Sequence, residues 1–209
     1  MRSIIYGAGS YGHELAEYIC DVFGKSLDEK DFIKFLDDDP NKTKSENNAW
    51  EVVGSVENFK FCDGDSIYIG LGNPTHRDKA YRSLKKQGLE IKTLIHPTAY
   101  ISRDSEISEG CVIGPFSTVG YKARLEKNVM LNSYVAIGHH AIVGDSSVVS
   151  PKSLVAGGAE VGKCCFIGSG SVITPSKKIG DFVSVGAGAV IYRNVKDKAK
   201  VFGNPAKKI

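Results

Sequence analysis

The chain has 209 residues, of which 42% are hydrophobic and 24% are charged, so it can bury a core and is not a disordered protein. Its 27 basic and 24 acidic side chains leave a net charge of only +3, and neither sign forms a long block, which predicts no nucleic-acid partner. No apolar run approaches the ~18 residues of a membrane span, and Gly7 interrupts the short run at the amino terminus. We therefore expect a soluble, cytoplasmic protein without membrane insertion.

The first predicted elements are a strand, a glycine turn and a helix. The apolar run Ile4 to Tyr6 leads into Gly-Ala-Gly-Ser-Tyr-Gly at residues 7–12, after which apolar residues recur at helical spacing. Glycines let the backbone pass close to a ligand, and the amides at a helix start favour an anion such as a diphosphate. The same residues also fit a tight turn that holds no ligand.

Two further strands are predicted before residue 92. The second, over residues 32–36, ends in Asp37 and Asp38, and the third, over 67–71, precedes a helix predicted over 74–86. Such strand ends are where parallel α/β sheets bind ligands, and about 90 residues supply roughly half of a domain that holds NAD, so a mononucleotide fits better. The two carboxylates could accept hydrogen bonds from a ribose or a uracil-like base edge, or belong to a solvated acidic loop.

A six-residue repeat occupies the rest of the chain. Every sixth residue from Ile95 to Ile191 is Ile, Leu or Val, at seventeen consecutive positions. A second register, two places earlier in each unit, runs from Ala99 to Val195 and is small or narrow at every position except Lys177. Residues two apart share a strand face, so each unit points one aliphatic and one small side chain inward. A repeat of this kind predicts a parallel β-helix.

These patterns divide the chain in two. We predict an α/β plus β-solenoid protein in which residues 1–92 form a small Rossmann-like domain with parallel βαβ connections. Residues 93–209 form the β-helix and a carboxyl-terminal tail.

Four motifs together resemble one known family. They are the glycine turn at 7–12, the strand end at 36–38, the Ile-Gly-His-His corner at 137–140 and the Val-Phe-Gly-Asn-Pro-Ala-Lys tail at 201–207. The repeat is similar to the left-handed β-helix of bacterial acyltransferases. The four motifs in this order resemble the PglD/NeuD/VioB group, which are sugar O- or N-acetyltransferases that use acetyl-CoA. The resemblance covers nearly the whole chain, and the left-handed sense of the helix rests on it.

The histidine pair is the candidate for chemistry. His139 and His140 lie outside both inward registers, so the alternative is an ordinary surface corner. The resemblance implies that His139 is a general base in a groove between adjacent subunits of a homotrimer, since a neutral imidazole accepts protons near neutral pH. His140 replaces the carboxylate that usually orients this base, although a carboxylate from another coil or subunit could substitute. Val148 replaces a histidine that touches CoA in PglD-like members, so that contact should be apolar or made by backbone.

The same matching implies the substrate contacts, each of which also fits ordinary turn or coil chemistry. The CoA groove is expected to contain Val148, Ser169 and Ala187. The nucleotide-sugar site is expected to contain Gly9, Ser10, Tyr11, Asp37, Asp38, Gly72 and Thr75. No metal site is predicted.

The function that follows is an acetyl-CoA-dependent N-acetyltransferase for a UDP- or dTDP-linked 4-amino-4,6-dideoxy sugar in bacterial surface glycan biosynthesis. The sugar amine would attack the thioester directly, with His139 and His140 in the catalytic site. The partners are then acetyl-CoA as cosubstrate and a nucleotide-activated amino sugar. A sialic-acid-type sugar O-acetyltransferase is the alternative enzyme.

Other classes of function remain open. A non-enzymatic nucleotide-binding scaffold and a nicotinamide oxidoreductase both fit the first domain. Zinc-dependent hydration on the same fold needs three convergent imidazoles, whereas His96 lies more than two coils from His139 and the adjacent His139 and His140 should splay apart. The five cysteines lack CxxC spacing, which indicates reduced core residues.

Overall fold

The computed structural model describes residues 2–26, 29, 32–42 and 50–209. The amino-terminal part is a three-stranded parallel sheet in the order β2-β1-β3, flanked by two helices. Its elements are β1 Ser3–Tyr6, α1 Ser10–Phe23, β2 Ile33–Leu36, β3 Ser66–Ile69 and α2 Pro74–Lys86. Because the strands are parallel, their carboxyl ends meet at one edge of the sheet. The second helix has the bounds that the sequence predicts, and no described helix has the length and apolarity to cross a membrane.

Close packing fixes the glycine turn after β1. Gly7 has a φ of 112°, in the region that favours glycine. A Cβ atom on Gly12 would lie 1.9 Å from the Gly7 carbonyl oxygen, so α1 begins directly against the strand end. At Gly9, in contrast, a Cβ atom would meet no described residue other than Lys42, whose Nζ lies 4.0 Å away. The middle position of the turn is therefore open.

The rest of the chain is a parallel β-solenoid whose short strands form three sheets. The first sheet contains β4 Leu94–Ile95, β7 Val112–Ile113, β10 Met130–Leu131, β13 Val148–Val149, β16 Phe166–Ile167, β19 Ser184–Val185, β21 Lys200–Phe202 and the antiparallel β22 Lys207–Lys208. The second contains β5 Tyr100–Ile101, β8 Thr118–Val119, β11 Ala136–Ile137, β14 Leu154–Val155, β17 Val172–Ile173 and β20 Val190–Ile191. The third contains β6 Glu106–Ile107, β9 Arg124–Leu125, β12 Ile142–Val143, β15 Glu160–Val161 and β18 Lys178–Ile179.

The two inward registers build the solenoid core. The aliphatic register forms one continuous buried cluster that runs from Ile113 to Ile191. Buried serines of the small register are satisfied by the next coil: Ser117 Oγ donates to the Asn132 carbonyl at 2.7 Å, and Ser147 Oγ donates to the Gly162 carbonyl at 2.7 Å. The small side chains therefore fill the narrow interior, and the serines among them also form hydrogen bonds between successive coils.

The three outward faces of the solenoid differ in chemistry. The first sheet is the covered face, because Leu94 and Val112 pack into the same cluster as Ile5 and Leu15 of the amino-terminal domain. The second sheet is the apolar face, which presents half-buried residues and carries no part of the described chain: Ala136, Leu154, Val172 and Val190. The third sheet is the charged face, where Glu160 and Lys178 form an ion pair at 3.0 Å.

A buried arginine joins the two parts of the molecule. Arg77 of α2 is fully buried and donates to the backbone carbonyls of Asn128 at 2.7 Å, Ile69 at 2.7 Å and Gly110 at 3.1 Å. Asn128 Nδ2 donates back to the Arg77 carbonyl at 3.0 Å. We call residues 110, 128 and 146, where the charged and covered faces meet, the joint corner. The guanidinium bonds carbonyls of β3 and of two coils at once, which fixes the domain on the solenoid.

Candidate functional site

A groove of about 310 Å³ lies where the amino-terminal domain meets the covered face. The domain contributes Ser10, Tyr11 and Gly72, and the strand β13 contributes Val148. The rest of its lining is formed by Glu14, Met130, Asn132, Ser150 and Phe166. Three residues predicted for the nucleotide sugar and one predicted for CoA therefore line the same groove.

Tyr11, which lines the groove, carries a buried hydroxyl group without a partner among the described residues. Tyr11 Oη is buried and forms no hydrogen bond with any described residue. Burial raises the pKa of this phenol, so it is protonated at neutral pH and can donate a hydrogen bond. Because this oxygen is enclosed, the surface that Tyr11 presents to the groove is formed by its other atoms.

The two aspartates lie in an adjoining cavity of about 380 Å³, lined also by Gly7, His76 and Lys79. Both carboxylates already have partners within the domain. Asp37 Oδ2 accepts from the Ala8 amide at 2.9 Å and from Lys42 Nζ at 3.1 Å. Burial opposes its ionisation, but these bonds and the amide of Asp39 outweigh burial and lower the pKa of Asp37.

Asp38 is held by a phenol. The Tyr6 hydroxyl donates to Asp38 Oδ2, and the Val56 amide donates to Oδ1 at 3.2 Å. Burial and the bond to Asp38 raise the pKa of Tyr6, which keeps this hydroxyl a donor. The carboxylates thus brace the glycine turn and the strand ends, and each retains lone pairs toward the cavity.

The remaining predicted contacts lie outside both cavities. Thr75 is exposed in the first turn of α2, where its amide donates to the capping Asn73 Oδ1 at 3.0 Å. Ser169 and Ala187 are exposed and lie eighteen residues apart, one above the other on the corner between the covered and apolar faces. Gly9 is the N-cap residue of α1, beside the groove. The structure therefore brings Ser169 and Ala187 to the covered side of the solenoid but not into the groove itself.

His139 and His140 lie on a different corner, between the apolar and charged faces, which we call the histidine corner (residues 120–123, 138–141, 156–159 and 174–177). Both imidazoles are exposed, and their Nδ1 atoms lie 3.2 Å apart. The expectation that adjacent histidines splay apart is wrong, because His140 adopts a left-handed φ of 58° that turns its side chain back toward His139.

The ring of His139 rests on a glycine of the next coil. A Cβ atom on Gly157 would lie 2.6 Å from both Cε1 and Nε2 of His139. The Gly158 amide donates to the His139 carbonyl at 2.8 Å, and the His140 ring meets the edge of Tyr121 at 5.6 Å between centroids. The imidazole therefore takes an orientation that any side chain at 157 would prevent. Across the described ranges, no three His, Cys, Asp or Glu side chains converge as metal ligands would.

The groove and the histidines occupy opposite sides of one chain. In a triangular coil, the corner between the apolar and charged faces is opposite the covered face. One copy therefore presents the groove on one side and His139 on the other.

Sequence reasoning missed several residues of the groove and of the histidine corner. Met130 and Phe166 were missed, although they recur with the predicted Val148 and with Val112 at eighteen-residue spacing on the outward side of one face. An apolar column at such positions is a signal that something covers the face, and it could have located the groove floor. The role of Gly157 has no such signal, because many corners of the repeat contain glycine.

Comparison with known proteins agrees with this architecture. Residues 2–84 match the model of the PglD N-terminal domain family. The acetyltransferase domain of PglB from Neisseria gonorrhoeae FA1090, in complex with acetyl coenzyme A, is 27% identical with a TM-score of 0.90, covering 100% of this chain and 98% of that chain. WeeI from Acinetobacter baumannii AYE is 27% identical with a TM-score of 0.89, covering 100% of both chains.

A more distant structure shares the fold. A mutant of perosamine N-acetyltransferase from Caulobacter crescentus, in complex with CoA and GDP-perosamine, is 24% identical with a TM-score of 0.87 over 100% of this chain and 97% of that chain. The full-length likeness confirms the predicted fold class, a Rossmann-like domain followed by a left-handed β-helix. Taken with the family model over residues 2–84, it confirms the resemblance of the chain to PglD/NeuD-like sugar acetyltransferases.

Proposed function

We propose that the protein is an acetyl-CoA-dependent N-acetyltransferase acting on a UDP- or dTDP-linked 4-amino-4,6-dideoxy sugar. The observation that carries this proposal is the groove that joins Ser10 and Tyr11 of the glycine turn to Val148 of the solenoid. A nucleotide bound by residues 1–92 extends its sugar toward a solenoid face of residues 93–209. PglB of known structure binds acetyl coenzyme A, which supports acetyl-CoA as the cosubstrate.

The reaction needs one proton acceptor. The sugar nitrogen attacks the acetyl carbonyl carbon, the carbon–sulfur bond breaks, and CoA leaves as a thiolate. His139 Nε2 takes the proton that the nitrogen releases, and this proton can then pass to the thiolate or to water. Because Gly157 has no side chain, the His139 ring can lie against the backbone of the next coil, an orientation that a Cβ atom at residue 157 would prevent.

The cysteines of the solenoid do not support an acyl-enzyme route. Burial raises the pKa of Cys111, Cys164 and Cys165 to about 11 each. These thiols are protonated at neutral pH, whereas a nucleophilic cysteine must be a thiolate. Direct transfer is therefore the mechanism that the described side chains favour.

The active unit is a homotrimer in which His139 of one copy serves the groove of its neighbour. Three outward faces lead to this assignment: the covered face packs on the amino-terminal domain, the charged face suits water, and the apolar face is uncovered. The apolar face lies between the histidine corner and the corner that carries Ser169 and Ala187. Burying it against a second copy brings one copy's histidines to the other copy's substrate side.

Subunit mixing tests this arrangement. His139→Ala removes the base, and Gly9→Asp places a carboxylate where a phosphate is expected. At this position Lys42 is the one described residue nearby, and aspartate is a good N-cap. Each variant alone should be inactive. If the histidine serves a neighbour, random mixing of the two variants should give activity at about one quarter of the subunit junctions. These are the junctions that pair an intact His139 with an intact groove. If mixed trimers remain inactive, the histidine acts within its own chain or not at all.

A thiol-release assay with a panel of acceptors tests the substrate. We expect turnover with UDP- or dTDP-linked 4-amino sugars, and none with free or CMP-linked sialic acid. The GDP-linked amino sugar seen in the Caulobacter structure is the comparison substrate. A preference for the GDP-linked sugar would show that the nucleobase is guanine and not uracil or thymine. Transfer to sialic acid would establish the O-acetyltransferase alternative. Nucleotide binding without any turnover would indicate a non-enzymatic scaffold.

A further inference from the structure

We propose that His140 is a positioning residue that fixes the tautomer of His139, replacing an ionised partner with a neutral one. This inference rests on the proposed function, in which His139 is the base. It concerns a single contact, the one between the two Nδ1 atoms at 3.2 Å.

Only one proton can lie between two facing imidazole nitrogens. If His139 Nδ1 donates, its Nε2 carries a lone pair and can accept a proton from the substrate. If His140 Nδ1 donates, His139 carries its proton on Nε2 and is not a base. His140 supports catalysis when it is neutral, is protonated on Nε2, and accepts through Nδ1.

The surroundings leave this role to His140 alone. Among the described residues, neither imidazole has another hydrogen bond or an ion pair from its ring. The backbone holds His140 in place, because its amide donates to the Tyr121 carbonyl at 2.8 Å and its φ is 58°. The Tyr121 ring meets the His140 ring edge to face, which restricts its rotation further.

The repeat supplies matched substitutions for position 140. Equivalent corner positions with left-handed φ are occupied by Asn128 at 58°, Gly158 at 67° and Lys122 at 53°. His140→Asn, His140→Gly and His140→Lys are therefore all compatible with the local backbone. They differ in chemistry: asparagine offers an acceptor, glycine offers nothing, and lysine offers only donors.

The variants should separate in kcat while KM for both substrates stays unchanged. His140→Asn should keep activity within about threefold of the wild type, because its Oδ1 can accept from His139 Nδ1. His140→Gly should lose about tenfold. His140→Lys should lose about 10²-fold or more, since a donor at Nδ1 forces the proton of His139 onto Nε2. Equal losses in all three variants, or no loss in any, would overturn the proposal.

The ring tautomer can be measured without substrates. Nitrogen-15 chemical shifts of labelled histidine, assigned by comparison with His139→Gln, should show His139 protonated on Nδ1 in the wild type and His140→Asn, and on Nε2 in His140→Lys. A wild-type His139 protonated on Nε2 would disprove the role of His140. If the tautomers follow the expected pattern but no acceptor is acetylated, the proposed function fails and the positioning role stands.

Discussion

The joint corner and the histidine corner use the same backbone geometry for opposite purposes. Both stack residues of left-handed φ at eighteen-residue spacing, Asn128 at the first and His140 at the second. At the joint corner, Arg77 and Asn128 exchange hydrogen bonds with each other's backbone and are fully buried. At the histidine corner, two exposed imidazoles hydrogen-bond to each other and to no other side chain among the described residues. The side chains of the first corner bond within the chain, and those of the second are exposed on the surface.

The largest effect is expected at the histidine corner. His139→Ala should lower kcat by about 10²- to 10⁴-fold, the range of a lost general base, while the protein folds normally because the side chain is exposed. Steady-state kinetics and circular dichroism measure the two parts. Ser176→Ala, at an exposed position of the same corner, is the control. A kcat within a few fold of wild type would place the base elsewhere.

A substitution at the joint corner should lower the stability of the protein. Arg77→Met should lower the free energy of unfolding by about 3 kcal/mol, because three carbonyls lose a buried donor. Denaturant unfolding followed by fluorescence of Trp50, which is buried in the amino-terminal domain, reports this loss. Arg82→Met removes an exposed arginine of the same helix and serves as the control. Equal stability of both variants would mean that the joint does not depend on Arg77.

A smaller catalytic effect is expected at the glycine beneath the base. Gly157→Ala puts a methyl group 2.6 Å from the His139 ring, which must turn away, so kcat should fall about tenfold with little change in stability. Gly158→Ala should instead lower stability with little change in kcat. Its φ of 67° strains an alanine, but its nearest neighbour is Ser176 at 3.4 Å. Matched kinetic and unfolding measurements distinguish them. An unchanged kcat in Gly157→Ala would show that catalysis does not depend on the orientation of the His139 ring.

The smallest effect should arise at the glycine turn. Asp37→Asn should raise KM for the sugar nucleotide, leave KM for acetyl-CoA unchanged, and cost about 1 kcal/mol of stability at neutral pH. The pKa of Asp37 is lowered on folding, so this contribution is present above the ordinary value of ~3.9 and disappears as pH falls through the lower folded value. Measuring the free energy of unfolding as a function of pH tests whether Asp37→Asn and the wild type become equally stable at low pH. Asp63→Asn, at an exposed position, is the control. Equal rises in both KM values would contradict separate sites.

The repeat made the solenoid predictable, and long-range contacts limited the rest. An aliphatic residue at every sixth position can bury itself only in a stacked coil, so the sequence alone indicated the core from Ile95 to Ile191. The glycine turn and the bounds of α2 were likewise local patterns. Arg77 carried no signal, because its partners lie at residues 110 and 128, far along the chain. The His139–His140 contact was mispredicted because the adjacent histidines were expected to splay apart, whereas His140 has a left-handed φ of 58°.

The stacking of coils also restricts how such a chain can change in length. Each coil spans eighteen residues, and Ser117, Asn132 and Val135 show how side chains of one coil bond the next. An insertion of six residues would move every later strand to another face, whereas an insertion of eighteen preserves all three faces. One added coil between the groove floor at Val148 and an upstream corner would shift their separation by ~4.8 Å along the axis. If the proposed function holds, the distance between the bound nucleotide and His139 can change only in steps of one coil, so a longer or shorter substrate would require the gain or loss of whole coils.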